Sequence, residues 1–168
     1  MRRMWRLGLV ILVLVSCVGC DQATKNIARR SLASSSVSLL NDSVRFEYTE
    51  NPGAFLGLGS KLPREARFLL LVIFASATLL LTLAFTVSVS ARNLDVEQWV
   101  GLSLLAGGGV GNLIDRIFND GAVIDFVRLG VGSLRTGVFN LADVAIVVGV
   151  ILLLLGTARG RRETASDA

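Results

Sequence analysis

The chain has 168 residues, of which 52% are hydrophobic and only 18% charged, and its mean hydropathy is +0.64. A soluble domain usually carries about 25% charged residues, so the composition excludes the soluble globular class, and this length predicts a single domain. The net charge of +4 does not indicate nucleic acid, because seven of the seventeen basic residues flank apolar segments (Arg2, Arg3, Arg6, Arg92, Arg159, Arg161 and Arg162).

Four apolar segments predict an all-α membrane protein. The spans cover about residues 7–26, 68–91, 99–114 and 141–158, with outer loops at about 27–67 and 115–140. The second span has no ionisable side chain over 24 positions, enough to cross a hydrocarbon layer of about 30 Å. The tails and the 92–98 loop carry seven basic residues in about 23 positions, against ten in about 73 for the outer loops. This bias predicts four transmembrane helices with both termini in the cytoplasm.

The first apolar segment has two interpretations. Its basic start and the Leu-Val-Ser-Cys run ending at Cys17 are typical of a lipoprotein signal peptide cleaved before that cysteine. Residues 21–30 contain neither Gly nor Pro and can prolong the same helix, so we expect an uncleaved first membrane helix; an intact Met1 end would exclude cleavage. Cys17 and Cys20 have no βαβ context, and we expect inert, buried thiols.

Both outer loops contain a short segment with strand character. Residues 44–48 alternate with period two, and a turn signal follows at Asn51-Pro52-Gly53. Residues 123–127 predict a second strand in the other loop. We expect the two strands to form a small sheet on the outer face of the membrane.

A stripe of small residues marks the third span, where Ser103, Gly107 and Gly111 recur every four positions. This pattern predicts close helix packing in lipid, because a phosphate-binding loop would end in Lys followed by Ser or Thr. Asn112 follows the stripe and needs a polar partner at this depth, so it can orient a neighbouring aspartate.

Four aspartates lie near predicted helix ends or strands: Asp21, Asp115, Asp125 and Asp143. Three of them also have ordinary interpretations. Asp21 can form a helix-surface pair with Lys25, and Asp115 with Arg116 can mark the end of the third span. Asp143 lies three residues after Asn140, a spacing that favours a helix cap.

Asp125 is harder to explain by structure alone, because it stands between Ile124 and Phe126, where desolvation would disfavour its ionised form. If Asp125 faces Asp143, the pair can share one proton, so that one carboxylate activates water while the other donates a hydrogen bond to a carbonyl. This is the arrangement of aspartic proteases. It suits a chain without histidine, since that absence excludes Ser-His-Asp and Cys-His catalysis.

Five short motifs follow one another along about 120 residues of the chain. They are DQATK from Asp21, NPGAF from Asn51, GGVGNLIDR from Gly108, VIDF from Val123 and FNLAD from Phe139. Each motif alone is weak. In this order, on a chain with four apolar segments, they resemble the bacterial lipoprotein signal peptidase family (signal peptidase II).

The resemblance implies an aspartyl endopeptidase of the bacterial inner membrane that cleaves diacylglyceryl-modified prolipoproteins before the lipidated cysteine. It implies four membrane helices, a small β-cradle on the periplasmic face, and an active site there in which Asp125 and Asp143 are catalytic. The implied supporting or substrate-binding residues are Asp21, Lys25, Asn51, Gly53, Asn112, Asp115, Arg116 and Asn140. No metal and no other cofactor is implied. The expected partners are the prolipoprotein substrates and membrane lipids, without nucleic acid, and the expected state is a monomer.

Two other functions stay open at this point. A Ser-Lys hydrolase would use Lys25 as its base, although the neighbouring Asp21 favours the charged lysine. A small transporter or structural membrane subunit would use the aspartates as an ion path. Such a protein should carry charges in the middle of its spans, whereas the second and fourth spans contain none.

Overall fold

The computed structural model describes residues 2–53, 63–87 and 94–166. Four helices and four strands lie in these ranges: α1 Arg2–Ser31, β1 Val37–Leu39, β2 Val44–Asn51, α2 Arg64–Val87, α3 Val96–Phe118, β3 Val123–Val131, β4 Leu134–Arg135 and α4 Leu141–Ser166. Residues 88–91 of the predicted second span and 54–62 of the predicted outer loop lie outside the described residues. In the chain, β1 and β2 lie between α1 and α2, and β3 and β4 lie between α3 and α4.

The helices extend beyond the predicted spans. Helix α1 continues through residues 21–30 to Ser31, as the absence of Gly and Pro there indicated. Helix α3 continues to Phe118, four residues past the predicted end of the third span. Asp115 and Arg116 lie inside α3 and do not mark its end. Asp115 is 2% exposed and ion-paired inside the protein.

Two of the described helices, Met4–Ser31 and Leu141–Arg159, are long and apolar enough to cross a membrane by length and composition. They correspond to the first and fourth predicted spans. The count of four spans and the orientation of the termini stay predictions.

Helix α3 packs closely against α1 and α4, and its small residues make this possible. A methyl group added at Gly107 would lie 2.9 Å from the Cβ of Cys17 on α1. One added at Gly108 would lie 2.5 Å from the carbonyl oxygen of Ala142 on α4. One added at Gly111 would lie 2.5 Å from Oδ2 of Asp21 on α1, so the predicted packing role of the stripe is confirmed at Gly107 and Gly111.

The two cysteines differ in their surroundings. Cys17 is buried in the contact with α3, whereas Cys20 is exposed, and both are free thiols. The prediction of two buried thiols is therefore wrong for Cys20.

The four strands form one antiparallel sheet in the order β1-β2-β3-β4. Strand β2 begins at Val44 and β3 at Val123, as predicted, but both are longer, and β1 and β4 were not predicted. The β2–β3 register pairs Asn51 with Val123 and Thr49 with Asp125. The expected small sheet is confirmed, and its register brings the end of β2 to the start of β3.

Candidate active site

Asp125 and Asp143 open into one cavity of ≈ 450 Å³. Asp125 lies on β3 and is 2% exposed, and Asp143 lies in the first turn of α4. The described lining residues are Asn51, Gly53, Asn112, Arg116, Val123, Asp125, Arg135, Thr136, Gly137, Val138, Phe139, Asp143, Val144, Val147 and Val148. The cavity therefore joins two carboxylates to a largely apolar wall contributed by α4.

Two asparagine side chains hold the carboxylate of Asp125. The Nδ2 of Asn140 donates to Oδ1 at 2.7 Å, and the Nδ2 of Asn51 donates to Oδ2 at 3.0 Å. Asn51 reaches this position because its own Oδ1 accepts the backbone N–H of Gly53 at 3.0 Å, which forms the predicted turn.

Asp143 is held by a different pair of donors. Its Oδ1 accepts the Nδ2 of Asn112 at 2.8 Å, and its Oδ2 accepts the backbone N–H of Asn140 at 3.2 Å. In return, the backbone N–H of Asp143 donates to Oδ1 of Asn140 at 2.9 Å. The predicted cap on α4 is therefore present, and the same cap orients Asp143 into the cavity.

The environment of Asp125 favours its protonated form. Burial, and then the negative charge of Asp143, raise the pKa of Asp125 to about 6, although hydrogen bonds from Asn51 and Asn140 act in the opposite direction. Because the two carboxylates interact, the protonation equilibrium belongs to the pair. The geometry can supply a protonated and an ionised carboxyl group side by side.

Asp21, Lys25 and Asp115 form a buried ion cluster behind this pair. The Nζ of Lys25 lies 2.8 Å from Oδ2 of Asp21 and 3.0 Å from Oδ2 of Asp115. Asp21 and Lys25 are 0% and 1% exposed, so their interpretation as a helix-surface pair is wrong. The pair is buried because α1 packs on α3 at this level, and Asp115 on α3 supplies the second carboxylate.

Arg116 supplies positive charge at the cavity wall. Its Nη1 donates to the backbone oxygen of Asn112 at 3.2 Å and its Nη2 to that of Gly53 at 3.5 Å. Its Nε is buried and has no hydrogen-bond partner among the described residues. Arg116 lines the cavity, so its guanidinium is a candidate donor for a carbonyl or carboxyl oxygen there.

The predicted site residues divide into two sets. Asn51, Gly53, Asn112, Arg116, Asp125 and Asp143 line the cavity, whereas the described lining does not include Asp21, Lys25, Asp115 or Asn140. Their roles stay predictions. In the described ranges, no group of three or more His, Cys, Asp or Glu side chains could hold a metal ion.

Sequence reasoning missed two contributors to this region. Gln22 donates its Nε2 to Oδ1 of Asp115 at 3.0 Å and to the backbone oxygen of Gly111 at 3.1 Å, which ties α1 to α3. Gln22 is the second residue of the DQATK motif, and this position could have identified it as a site residue. Arg135, Thr136, Gly137 and Val138 also line the cavity, and no local pattern marks them.

The fold is that of a known class of protein. Two solved structures described as bacterial membrane enzymes, both determined by the in meso method, share this fold. The structure at 2.3 Å resolution has a TM-score of 0.76 and 27% identity, covering 90% of this chain and 88% of that chain. The structure at 1.9 Å resolution has a TM-score of 0.73 and 28% identity, covering 88% of this chain and 91% of that chain. The chain therefore has the fold of a bacterial membrane enzyme.

Sequence similarity identifies the family. A family model described as signal peptidase (SPase) II matches residues 12–159. A lipoprotein signal peptidase of Chlorobium phaeobacteroides (strain DSM 266 / SMG 266 / 2430) is 36% identical over 160 residues, covering 90% of this chain and 88% of the relative. One of Aquifex aeolicus (strain VF5) is 33% identical over 147 residues, covering 88% and 84%. The chain belongs to the signal peptidase II family, which confirms the resemblance seen in its motifs.

Some relatives are longer than this chain. The lipoprotein signal peptidase of Streptomyces griseus is 35% identical over 130 residues, and the match covers 74% of this chain but 59% of that relative. The chain likewise covers 57% of the Streptomyces coelicolor relative.

Proposed function

We propose that this protein is an aspartic endopeptidase that removes signal peptides from diacylglyceryl-modified prolipoproteins by cleaving before the lipidated cysteine. The observation that carries the proposal is the placing of Asp125 and Asp143 at one cavity, where each carboxylate oxygen accepts an N–H. Family membership supports the peptidase activity. The proposed setting is a monomer with four membrane spans in the inner membrane, its cavity opening toward the periplasm.

The mechanism assigns one role to each carboxyl group. Asp125 enters the cycle protonated, because its burial disfavours charge, and donates its proton to the scissile carbonyl oxygen. Ionised Asp143 takes a proton from water as the water oxygen attacks the carbonyl carbon. The resulting gem-diol collapses when Asp143 protonates the amide nitrogen, the C–N bond breaks, and a hydroxyl proton returns to Asp125. Atoms and charge balance, and the dyad is regenerated.

The rest of the cavity suits a lipid-linked peptide at a membrane surface. Val144, Val147 and Val148 form an apolar wall on α4, against which a signal helix or acyl chain can pack. Arg116 offers N–H groups to the peptide backbone at the other side. Holding the substrate from both sides places the scissile bond at the dyad, which lowers the entropic part of the barrier.

The alternative functions receive less support. Lys25 Nζ contacts Asp21, Asp115 and the amide oxygen of Asn112, and none of these partners is a serine hydroxyl that a Ser-Lys mechanism requires. Asp125 and Asp143 line one cavity and their oxygens accept N–H groups, and the family match favours a peptidase over a transporter.

Cleavage of a defined precursor tests the proposed substrate. The purified protein in detergent is incubated with a diacylglyceryl-modified prolipoprotein and, as a matched control, with the same precursor lacking the lipid. We expect one cut, immediately before the modified cysteine, and at least about tenfold slower cleavage of the unmodified precursor, because the lipid contributes to positioning. Mass spectrometry of both products locates the cut. Equal rates for the two precursors would contradict lipid recognition.

The activity should also fall at alkaline pH. Because the mechanism needs protonated Asp125 and its pKa is raised to about 6, the competent fraction of free enzyme falls to about one tenth at pH 7 and about one hundredth at pH 8. We therefore expect kcat/KM to decrease about tenfold per pH unit above pH 7. Initial rates between pH 5 and 8.5 at low substrate concentration, in one buffer system, measure this profile. A kcat/KM that stays constant from pH 6 to 8 would show that Asp125 is not the proton donor.

A further inference from the structure

The buried cluster of Asp21, Lys25 and Asp115 contacts the residues that flank or bind the candidate catalytic pair. Their side chains are 0%, 1% and 2% exposed, and the described lining of the cavity contains none of the three. A group that cannot reach a substrate in the cavity can still act on the residues that do.

Each carboxylate of the cluster holds the backbone amide that precedes one member of the pair. Oδ1 of Asp21 accepts the N–H of Ala142, the residue before Asp143, at 2.9 Å. Oδ2 of Asp115 accepts the N–H of Ile124 at 3.0 Å. Ile124 directly precedes Asp125 on β3, so both aspartates of the pair are anchored through the main chain in the same way.

Lys25 joins the two anchors and orients a third group. Its Nζ reaches Oδ2 of Asp21, Oδ2 of Asp115 and Oδ1 of Asn112, the last at 2.9 Å, which occupies all three of its hydrogens. An ammonium group only donates, so the amide oxygen of Asn112 must face Lys25 and its NH₂ group must face away. That NH₂ group donates to Oδ1 of Asp143 at 2.8 Å.

We propose that Asp21, Lys25 and Asp115 form a positioning unit that sets the two aspartates for the reaction without contacting the substrate. Asp21 and Asp115 fix the main chain before Asp143 and before Asp125, while Lys25 neutralises part of their charge and keeps the NH₂ group of Asn112 turned to Asp143. This inference rests on the proposed peptidase function and assigns to three of the predicted supporting residues a role distinct from substrate binding.

The choice of variant decides whether the role can be measured. Lys25→Met would leave two buried carboxylates without a counter-ion, and such a change can unfold the protein. Asp21→Asn leaves a neutral pair of Lys25 and Asp115. Its single amide oxygen can replace only one of the two carboxylate oxygens, so either the Ala142 N–H or the Nζ of Lys25 loses its acceptor. Asp115→Ala removes the acceptor of the Ile124 N–H and leaves the pair of Asp21 with Lys25.

We expect Asp21→Asn and Asp115→Ala to lower kcat by about 10- to 100-fold while KM stays within about twofold of wild type, because a displacement of about 1 Å at the reacting groups has this effect. The matched control is Glu97→Gln, an acid-to-amide change that also breaks an ion pair. Glu97 is exposed, pairs with Arg159 at 2.5 Å and lies near the start of α3, so its kcat should stay at the wild-type value. Thermal unfolding in the same detergent gives the folded fraction used to correct each kcat.

The outcomes separate this inference from the function on which it rests. If wild type cleaves the lipidated precursor and both variants, corrected for folded fraction, keep the wild-type kcat, the cluster only stabilises the fold and the positioning role is wrong. A raised KM with unchanged kcat would instead show contact with the substrate and also overturn the proposal. If wild type itself fails to cleave a verified precursor, the peptidase function fails and the positioning role fails with it.

Discussion

Asp125→Asn and Asp143→Asn should each lower kcat/KM for the lipidated precursor by about 10²- to 10⁴-fold. Each change keeps the shape of the side chain but removes a carboxyl group that must give or take a proton during peptide hydrolysis, and general acid–base catalysis contributes about this factor. In the Asp125 variant the buried site also loses an ionisable group, so loss of folding is not the expected cause. Single-turnover cleavage measured by mass spectrometry detects the residual rate.

The matched control for these variants is Asp95→Asn. Asp95 caps the start of α3 and is exposed, and it stands 20 positions before Asp115 at the level of the site, which is about 30 Å along a helix. Asn caps helices about as well as Asp, so this variant should cleave at the wild-type rate. If both dyad variants, shown to be folded by thermal unfolding, also cleave at the wild-type rate, the two aspartates serve only as a helix cap and a sheet anchor.

Gly108→Ala should destabilise the protein and reduce its activity, whereas the adjacent Gly109→Ala should do neither. A methyl group at position 108 would lie 2.5 Å from the carbonyl oxygen of Ala142 and 2.8 Å from Cγ1 of Ile146, so α3 and α4 must move apart. Overpacking of this kind costs about 1–3 kcal/mol. It also displaces the main chain next to Asp143, for which we expect about a 100-fold loss of kcat.

Gly109→Ala is the matched control, because a methyl group at position 109 has no heavy atom within 4 Å among the described residues. Both substitutions gain the same helix propensity, about 0.8–1 kcal/mol, so any difference between them reports the contact with α4. Melting temperatures in one detergent and cleavage rates measure the two effects. Equal melting temperatures for the two variants would contradict the close approach of α3 to α4 at Gly108.

Local features of the fold were predictable because their causes lie within a few residues. The alternation at residues 44–48 predicts a strand, and β2 begins at Val44. The spacing of Asn140 and Asp143 predicts a cap, and their side chains and backbones bond reciprocally. Strands β1 and β4 were missed because segments of three and two residues are too short to show a period.

The contacts that build the candidate site join residues far apart in the chain. Asn51 and Asp125 are 74 positions apart, and Gln22 and Asp115 are 93 apart. The type of residue at each position indicated a polar partner but not which one, since a carboxylate can accept from many donors. The sheet register and the α1–α3 packing select among these partners.

The sequence by itself determined the membrane class, the helical segments, two strands of the sheet and the resemblance to signal peptidase II, because composition, periodicity and motif order are local or additive properties. Only the tertiary structure decided that Asp21 and Lys25 are buried with Asp115, and that Asp125 and Asp143 meet at one cavity. A buried charge is stable only when packing brings it a partner. That partner is supplied by another helix, and its identity depends on how the helices pack.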